Sequence, residues 1–135
     1  MSYLPDLDSA EQWVDDWQAR IHEKAAQARE LSARVSGLRV TVESRDGAVR
    51  VTVDSTGVPA EIVLADAVVG WRPDRIAAEI MATMRRAQRR LTVAVAQAAE
   101  ATVGADSETG RAVLDSYDTR FAGEPADEPA EGRRA

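Results

Sequence analysis

The sequence predicts an α+β protein of order α-β-β-β-α, in which two long helices flank a three-stranded antiparallel meander. Two observations carry this reading. Between Val35 and Ala65 apolar and polar residues alternate with a period of two, interrupted by two turn signals. On either side, apolar residues recur at helical spacing over stretches far longer than any strand.

The first helix is expected from Ser9 to about Val35, with Ser9 and Gln12 as a capping box and Gly37 as its stop; residues 1–8 form an arm before it. Trp13, Trp17, Ile21, Ala28, Leu31 and Val35 make one narrow stripe at about 100° per residue. The two tryptophans read as core or interface anchors, or alternatively as platforms for stacking on a base. His22 is the single histidine, beside the stripe, with no cysteine anywhere in the chain to share a metal.

The meander follows. Leu38, Val40 and Val42 alternate with Arg39, Thr41 and Glu43, and Val49, Val51 and Val53 alternate with Arg50, Thr52 and Asp54. Asp46-Gly47 between them is a favoured pair for a two-residue turn in which both positions take positive φ. That turn sets Val42 opposite Val51 and Val40 opposite Val53. On the polar face it sets Glu43 opposite Arg50 and Arg39 opposite Asp54, both favourable pairings. Thr56-Gly57 makes the second turn and brings Ala60, Ile62 and Leu64 onto the valine face, with Pro59 harmless at the start of the strand.

The second helix is expected from Pro73, which suits the first helical position, to about Ala101. Asp74 complements its N-terminal dipole. Ile76, Ile80, Met84, Ala87, Leu91, Val95 and Ala98 form its apolar stripe, while Arg75, Arg85, Arg86, Arg89 and Arg90 point elsewhere. Such a row is either a solvated surface or a phosphate-contacting patch, because clustered arginines on one face are what counterion release requires. Beyond Gly104, Val113, Tyr117 and Phe121 recur every four residues and predict a short amphipathic helix within 105–121. It either docks on the domain or meets a protein partner. Residues 122–135, rich in Pro, Ala and Glu, read as a disordered acidic tail.

Composition narrows the function classes. The formal charge is −6, yet residues 1–104 carry 13 basic against 15 acidic side chains, and 105–135 carry 4 against 8. The acidity is therefore mostly in the tail, and the folded part is nearly balanced, which neither excludes nor demands a nucleic-acid partner. No basic segment followed by an apolar run opens the chain, and no stretch has the length of a membrane span, so a cytoplasmic protein is expected. There is no glycine-rich phosphate loop, no metal-ligand pair and no histidine beside a serine nucleophile. Neither catalysis nor a cofactor or metal is expected.

Lengths add a prediction about assembly. A helix of this size spans about 40 Å, while a six-residue strand covers only about 20 Å. The overhanging apolar stripes must pack on one another within the chain or on a second copy. A symmetric homodimer is the expected answer, with Trp13, Trp17, Ile21, Leu91 and Val95 at its interface.

The order of elements, together with Val35-x-Gly37, Asp46-Gly47-Ala48-Val49-Arg50-Val51-Thr52-Val53, Gly57, Ile62 and Met84-Arg85-Arg86-Ala87-Gln88, resembles the YbaB/EbfC family of bacterial nucleoid-associated proteins over residues 9–101. It looks closest to actinobacterial members. The family often has a glycine-richer first turn and an Asn-Gly second turn, where this chain has Ser44-Arg45-Asp46-Gly47 and Asp54-Ser55-Thr56-Gly57. The resemblance implies an intertwined, tweezer-like homodimer that binds duplex DNA largely without sequence specificity in the cytoplasm, at the nucleoid. Arg85, Arg86, Arg89 and Arg90, with Arg75, are then the candidate DNA contacts. Some mycobacterial relatives look like accessory proteins of type VII secretion instead. In that alternative the chain acts through a protein partner met by Val113, Tyr117, Phe121 and the acidic tail.

Overall fold

The computed structural model describes residues 3–121. Its elements are α1 (Tyr3–Ser36), β1 (Val40–Glu43), β2 (Val49–Val53), β3 (Pro59–Leu64), a short 3₁₀ helix (Asp66–Gly70), α2 (Pro73–Ala101) and α3 (Glu108–Phe121). The α+β class and the helix-strand-helix order are as expected, with β2 central in an antiparallel sheet of order β1-β2-β3. The tail at 122–135 lies outside the described residues.

The hairpin register is the one the alternation predicts: Val40 faces Val53, Val42 faces Val51 and Glu43 faces Arg50. Arg50 Nε meets Glu43 Oε2 at 3.3 Å, and the Thr41 and Thr52 hydroxyls bond across the same face at 2.7 Å. The turn itself differs from expectation. Only Gly47 takes positive φ, at 74°. The Gly47 amide donates to the Ser44 carbonyl, and the Ser44 amide to the Val49 carbonyl, closing a four-residue loop. Both loops are centred on Asp46-Gly47, so the register is unchanged. Asp46 works through its side chain, which accepts from the Ser44 hydroxyl at 2.9 Å and the Ala48 amide at 3.1 Å.

Asp54 has a similar role in the second turn, accepting from the Thr56 hydroxyl, the Thr56 amide and the Val58 amide. The expected Arg39–Asp54 pairing is replaced by this local network, and Arg39 acts on Asp54 only as a more distant charge. Val51 pairs with Ile62 and Val49 with Leu64, which puts Ile62 and Leu64 on the valine face as expected, although at the sheet edge they stay 44% and 42% exposed. Ala60 departs from the alternation, because the register shifts between Thr52 and Val53 and Val53 pairs with Pro59.

Both turn aspartates titrate below the ordinary carboxylate value of 3.8. For Asp46 the Ala48 amide is the largest cause and the Ser44 hydroxyl the next; for Asp54 the Thr56 hydroxyl leads, then the Thr56 amide. A carboxyl lowered in the folded state contributes stability above its unfolded value, and that stability is lost as pH falls through the folded value. Urea midpoints taken from about pH 5 to about pH 2.5 should therefore decline, and the decline should be shallower in Asp54→Asn. An identical acid limb in the variant would contradict this role.

The core lies between the valine face of the sheet and α2. Val49, Val51, Val53, Ala87, Leu91 and Val95 have no exposed surface, and Val42 and Tyr117 complete the cluster. Thr83 is also fully buried, its hydroxyl donating to the Glu79 carbonyl at 2.7 Å. α3 closes the end of this core. The Tyr117 hydroxyl donates to the Ser55 carbonyl at 2.6 Å, Gln88 Nε2 donates to the Gly57 carbonyl at 3.0 Å, and the Phe121 ring lies over Gly57. Gly57 has φ 87°, and a Cβ there would overlap Phe121. Gly57→Ala should cost about 1–3 kcal/mol through the left-handed backbone and the displaced ring. The melting temperature should fall by about 5–10 °C; an unchanged thermal melt would refute the packing.

α1 begins at Tyr3, not at Ser9, so there is no N-terminal cap at Ser9 and most of the expected arm is helical. Pro5 falls in the first turn, where backbone N–H groups have no intrahelical acceptor, and so does not stop the helix. At the other end Gly37 has no positive φ; the Leu38 amide closes the last turn on the Val35 carbonyl at 3.0 Å. Only this C-terminal part of α1 packs on the domain, with Leu31 buried beside Ala98 and Ala99. Every residue from Leu7 to Lys24 is exposed. At 1.5 Å per residue that is a bare rod of about 27 Å.

Candidate nucleic-acid interface

α2 presents its arginines because its other side is committed to the sheet. Thr83, Ala87, Leu91 and Val95 point into the core at three- and four-residue spacing. Arg85, Arg86, Arg89 and Arg90 consequently project from the flanks and outer face, within about 8 Å along the axis. No acidic residue interrupts the helix between Glu79 and Glu100. The cluster is locally strongly positive although the surrounding protein is nearly neutral.

The four are not equivalent. Arg86 donates to the Glu43 carbonyl at the end of β1, which anchors it beside the first turn. Arg85 is half-buried and lines a groove of about 310 Å³ with Met81, Met84, Gln88, Arg120 and Phe121. Arg89 and Arg90 are exposed and have no ion pair among the described residues; with Arg86 and Val93 they line a shallow depression. Arg75 is stacked on the Trp71 ring at 3.6 Å from its centroid. It stands three turns before Arg86 on the same side of α2, about 16 Å away. The arrangement can hold a row of anionic oxygens along one helix face. None of its donors is placed to abstract or deliver a proton.

The residues expected at a dimer interface separate into two groups. Trp13, Trp17 and Ile21 are 61%, 47% and 48% exposed on the bare part of α1, with the indoles stacked at 6.5 Å. Leu91 and Val95, in contrast, have no exposed surface, because they are the centre of the single-chain core. They offer nothing to a second copy. Sequence reading missed other exposed apolar residues: Leu7 and Val14 on α1, and Val58, Ile62 and Leu64 at and before β3. Leu7, Ala10, Val14, Trp17, Ile21, Ala28, Leu31 and Val35 fall on a three-four spacing broken only at Lys24, which is the signal that could have found the first two. For β3 the signal was its position at a sheet edge.

Val113, Tyr117 and Phe121 pack on the chain's own core, so the short helix docks on its own domain. That takes up the surface assigned to a protein partner. His22 is exposed, no group of His, Asp or Glu among the described residues could hold a metal, and no described helix is long and apolar enough to cross a membrane.

No curated protein matches the chain. A family model does: that of the YbaB/EbfC DNA-binding family matches residues 13–106, from Trp13 on the bare rod through the sheet and all of α2. With that match over most of its length, the chain belongs to the YbaB/EbfC family of nucleoid-associated DNA-binding proteins.

Proposed function

We propose that two copies of this chain clasp one another through the exposed half of α1 and together bind duplex DNA largely without sequence preference, on the nucleoid in the cytoplasm. The observation that carries the DNA-binding part is the acid-free arginine row of α2. Arg86, Arg89 and Arg90 share one face, with Arg85 at its flank and Arg75 farther along. The lack of sequence preference is supported by Gln88, the one carboxamide among these arginines, being taken up by the Gly57 carbonyl at 3.0 Å, which leaves a row of charges suited to phosphates. Contacts to phosphate position a protein but carry no sequence information. The homodimer is supported by the apolar stripe Leu7–Val14–Trp17–Ile21 standing free of its own domain, which a second copy would cover.

Competition between duplexes tests the lack of sequence preference. Unlabelled duplexes of one length and unrelated sequence should displace a labelled probe at concentrations within about threefold of each other, a spread well below one mismatch penalty of a specific site. A duplex that competes a hundredfold better than the rest would overturn it.

A further inference from the structure

The described fold stops at Phe121, and Phe121 lines the same groove as Arg85, which precedes Arg89 and Arg90 on α2 by just over one helical turn. The chain continues with Ala122-Gly123-Glu124-Pro125-Ala126-Asp127-Glu128-Pro129-Ala130-Glu131, which holds four carboxylates and no basic residue before Arg133. We infer that this acidic segment docks on the arginine face of its own chain and competes there with the phosphates of DNA. This rests on the DNA-binding reading for its consequence, but not for the docking itself.

Reach and charge both favour it. A chain extends at most about 3.3–3.6 Å per residue, so Glu124 can lie up to about 10 Å from Phe121 and Glu131 more than 30 Å. The distance along α2 from Arg85 to Arg90 is only about 8 Å. Tethering at Phe121 therefore holds the carboxylates at high effective concentration over the cluster. Arg89 and Arg90 are exposed, have no ion pair among the described residues, and flank the depression that also holds Val93. Carboxylate and phosphate compete for guanidinium in the same geometry. Where Phe121 leaves the domain is itself fixed by its packing over Gly57, so the segment starts beside Arg85 on every copy.

The test uses the full-length chain and its variant E124Q/D127N/E128Q/E131Q, which removes the negative charges without shortening the segment. Backbone amide NMR spectra of the two, without DNA, should differ at residues 85–93 of α2 and hardly at all on the sheet. Differences absent from α2, or ones that appear only as protein concentration rises and so come from a second copy's segment, would overturn intramolecular docking. In fluorescence anisotropy at about 50 mM salt the variant should bind duplex DNA about three- to tenfold more tightly, and the gain should shrink as salt screens both competitors. Equal DNA affinities at low salt would overturn the competition. If neither protein binds DNA while the spectra differ at α2, the DNA reading fails and the docking stands.

Discussion

Replacing Arg85, Arg86, Arg89 and Arg90 together with alanine is expected to reduce affinity for generic duplex DNA by at least about a hundredfold near 100 mM salt. The magnitude follows from counterion release. Each phosphate contact contributes about 0.9 to the slope of log affinity against log salt on B-DNA, so losing several contacts lowers both the affinity and its steepness. The fold should survive, because the buried side of α2 is untouched. Arg86 gives up its bond to the Glu43 carbonyl and the half-buried Arg85 its place in the groove with Phe121, both outside the cluster of Val49, Leu91 and Val95. Arg89→Ala with Arg90→Ala is the cleaner pair, since both are exposed. It should reproduce about half of the change in slope. Arg50→Ala is the control: Arg50 faces the other side of the sheet, pairs with Glu43, and should alter binding little. A quadruple variant that keeps the unmodified affinity and slope would remove α2 as the contact surface.

Trp17→Asp combined with Ile21→Asp is expected to separate the two copies without unfolding either. In one chain these side chains are about half exposed and contribute nothing to the core, so placing charge there should leave the circular dichroism of the protomer intact. In the assembly the exposed half of each side chain is left to bury, about 100 Å² for a tryptophan that buries about 150–250 Å² in full. At about 25 cal/mol per Å², losing two large side chains on each copy raises the dissociation constant by at least about a thousandfold. Light scattering at micromolar concentration should then give 14.6 kDa, the mass of one chain. DNA affinity should fall with it, because two linked arginine faces bind far more tightly than one. A variant that keeps the mass of the unmodified protein would show that this stripe is not where copies meet.

Much of this architecture was legible in the sequence, for a physical reason. Period-two alternation in Val40–Val53 specifies register strongly, since a slip of one residue would turn valines to water. That is why the pairing was right although the turn type was not. Turn chemistry was harder: Asp46 and Asp54 can tolerate positive φ or can accept hydrogen bonds through their carboxylates, and sequence does not distinguish the two uses. The helix start was misjudged because a plausible cap at Ser9 competes with a proline that is tolerated in a first turn. Leu91 and Val95 illustrate a different limit. Helical spacing identifies an apolar face, but whether the chain's own sheet or a second copy covers it depends on where the sheet lies along the helix. The sheet lies under Ala87–Val95, which made those two residues core and left Trp13, Trp17 and Ile21 bare. The arginine row was readable, since residues opposite an apolar stripe must point outward. The separate environments of Arg85, Arg86 and Arg75 were not, because they depend on β1, α3 and Trp71 arriving from elsewhere in the chain.

The measurement closest to the central claim is the affinity of the unmodified chain for one duplex at successive salt concentrations. If four arginines on each of two copies contact phosphates, log affinity should fall linearly with log salt at a slope of about −7. Failure to bind duplex DNA at about 50 mM salt, or binding that salt leaves unchanged, would contradict it.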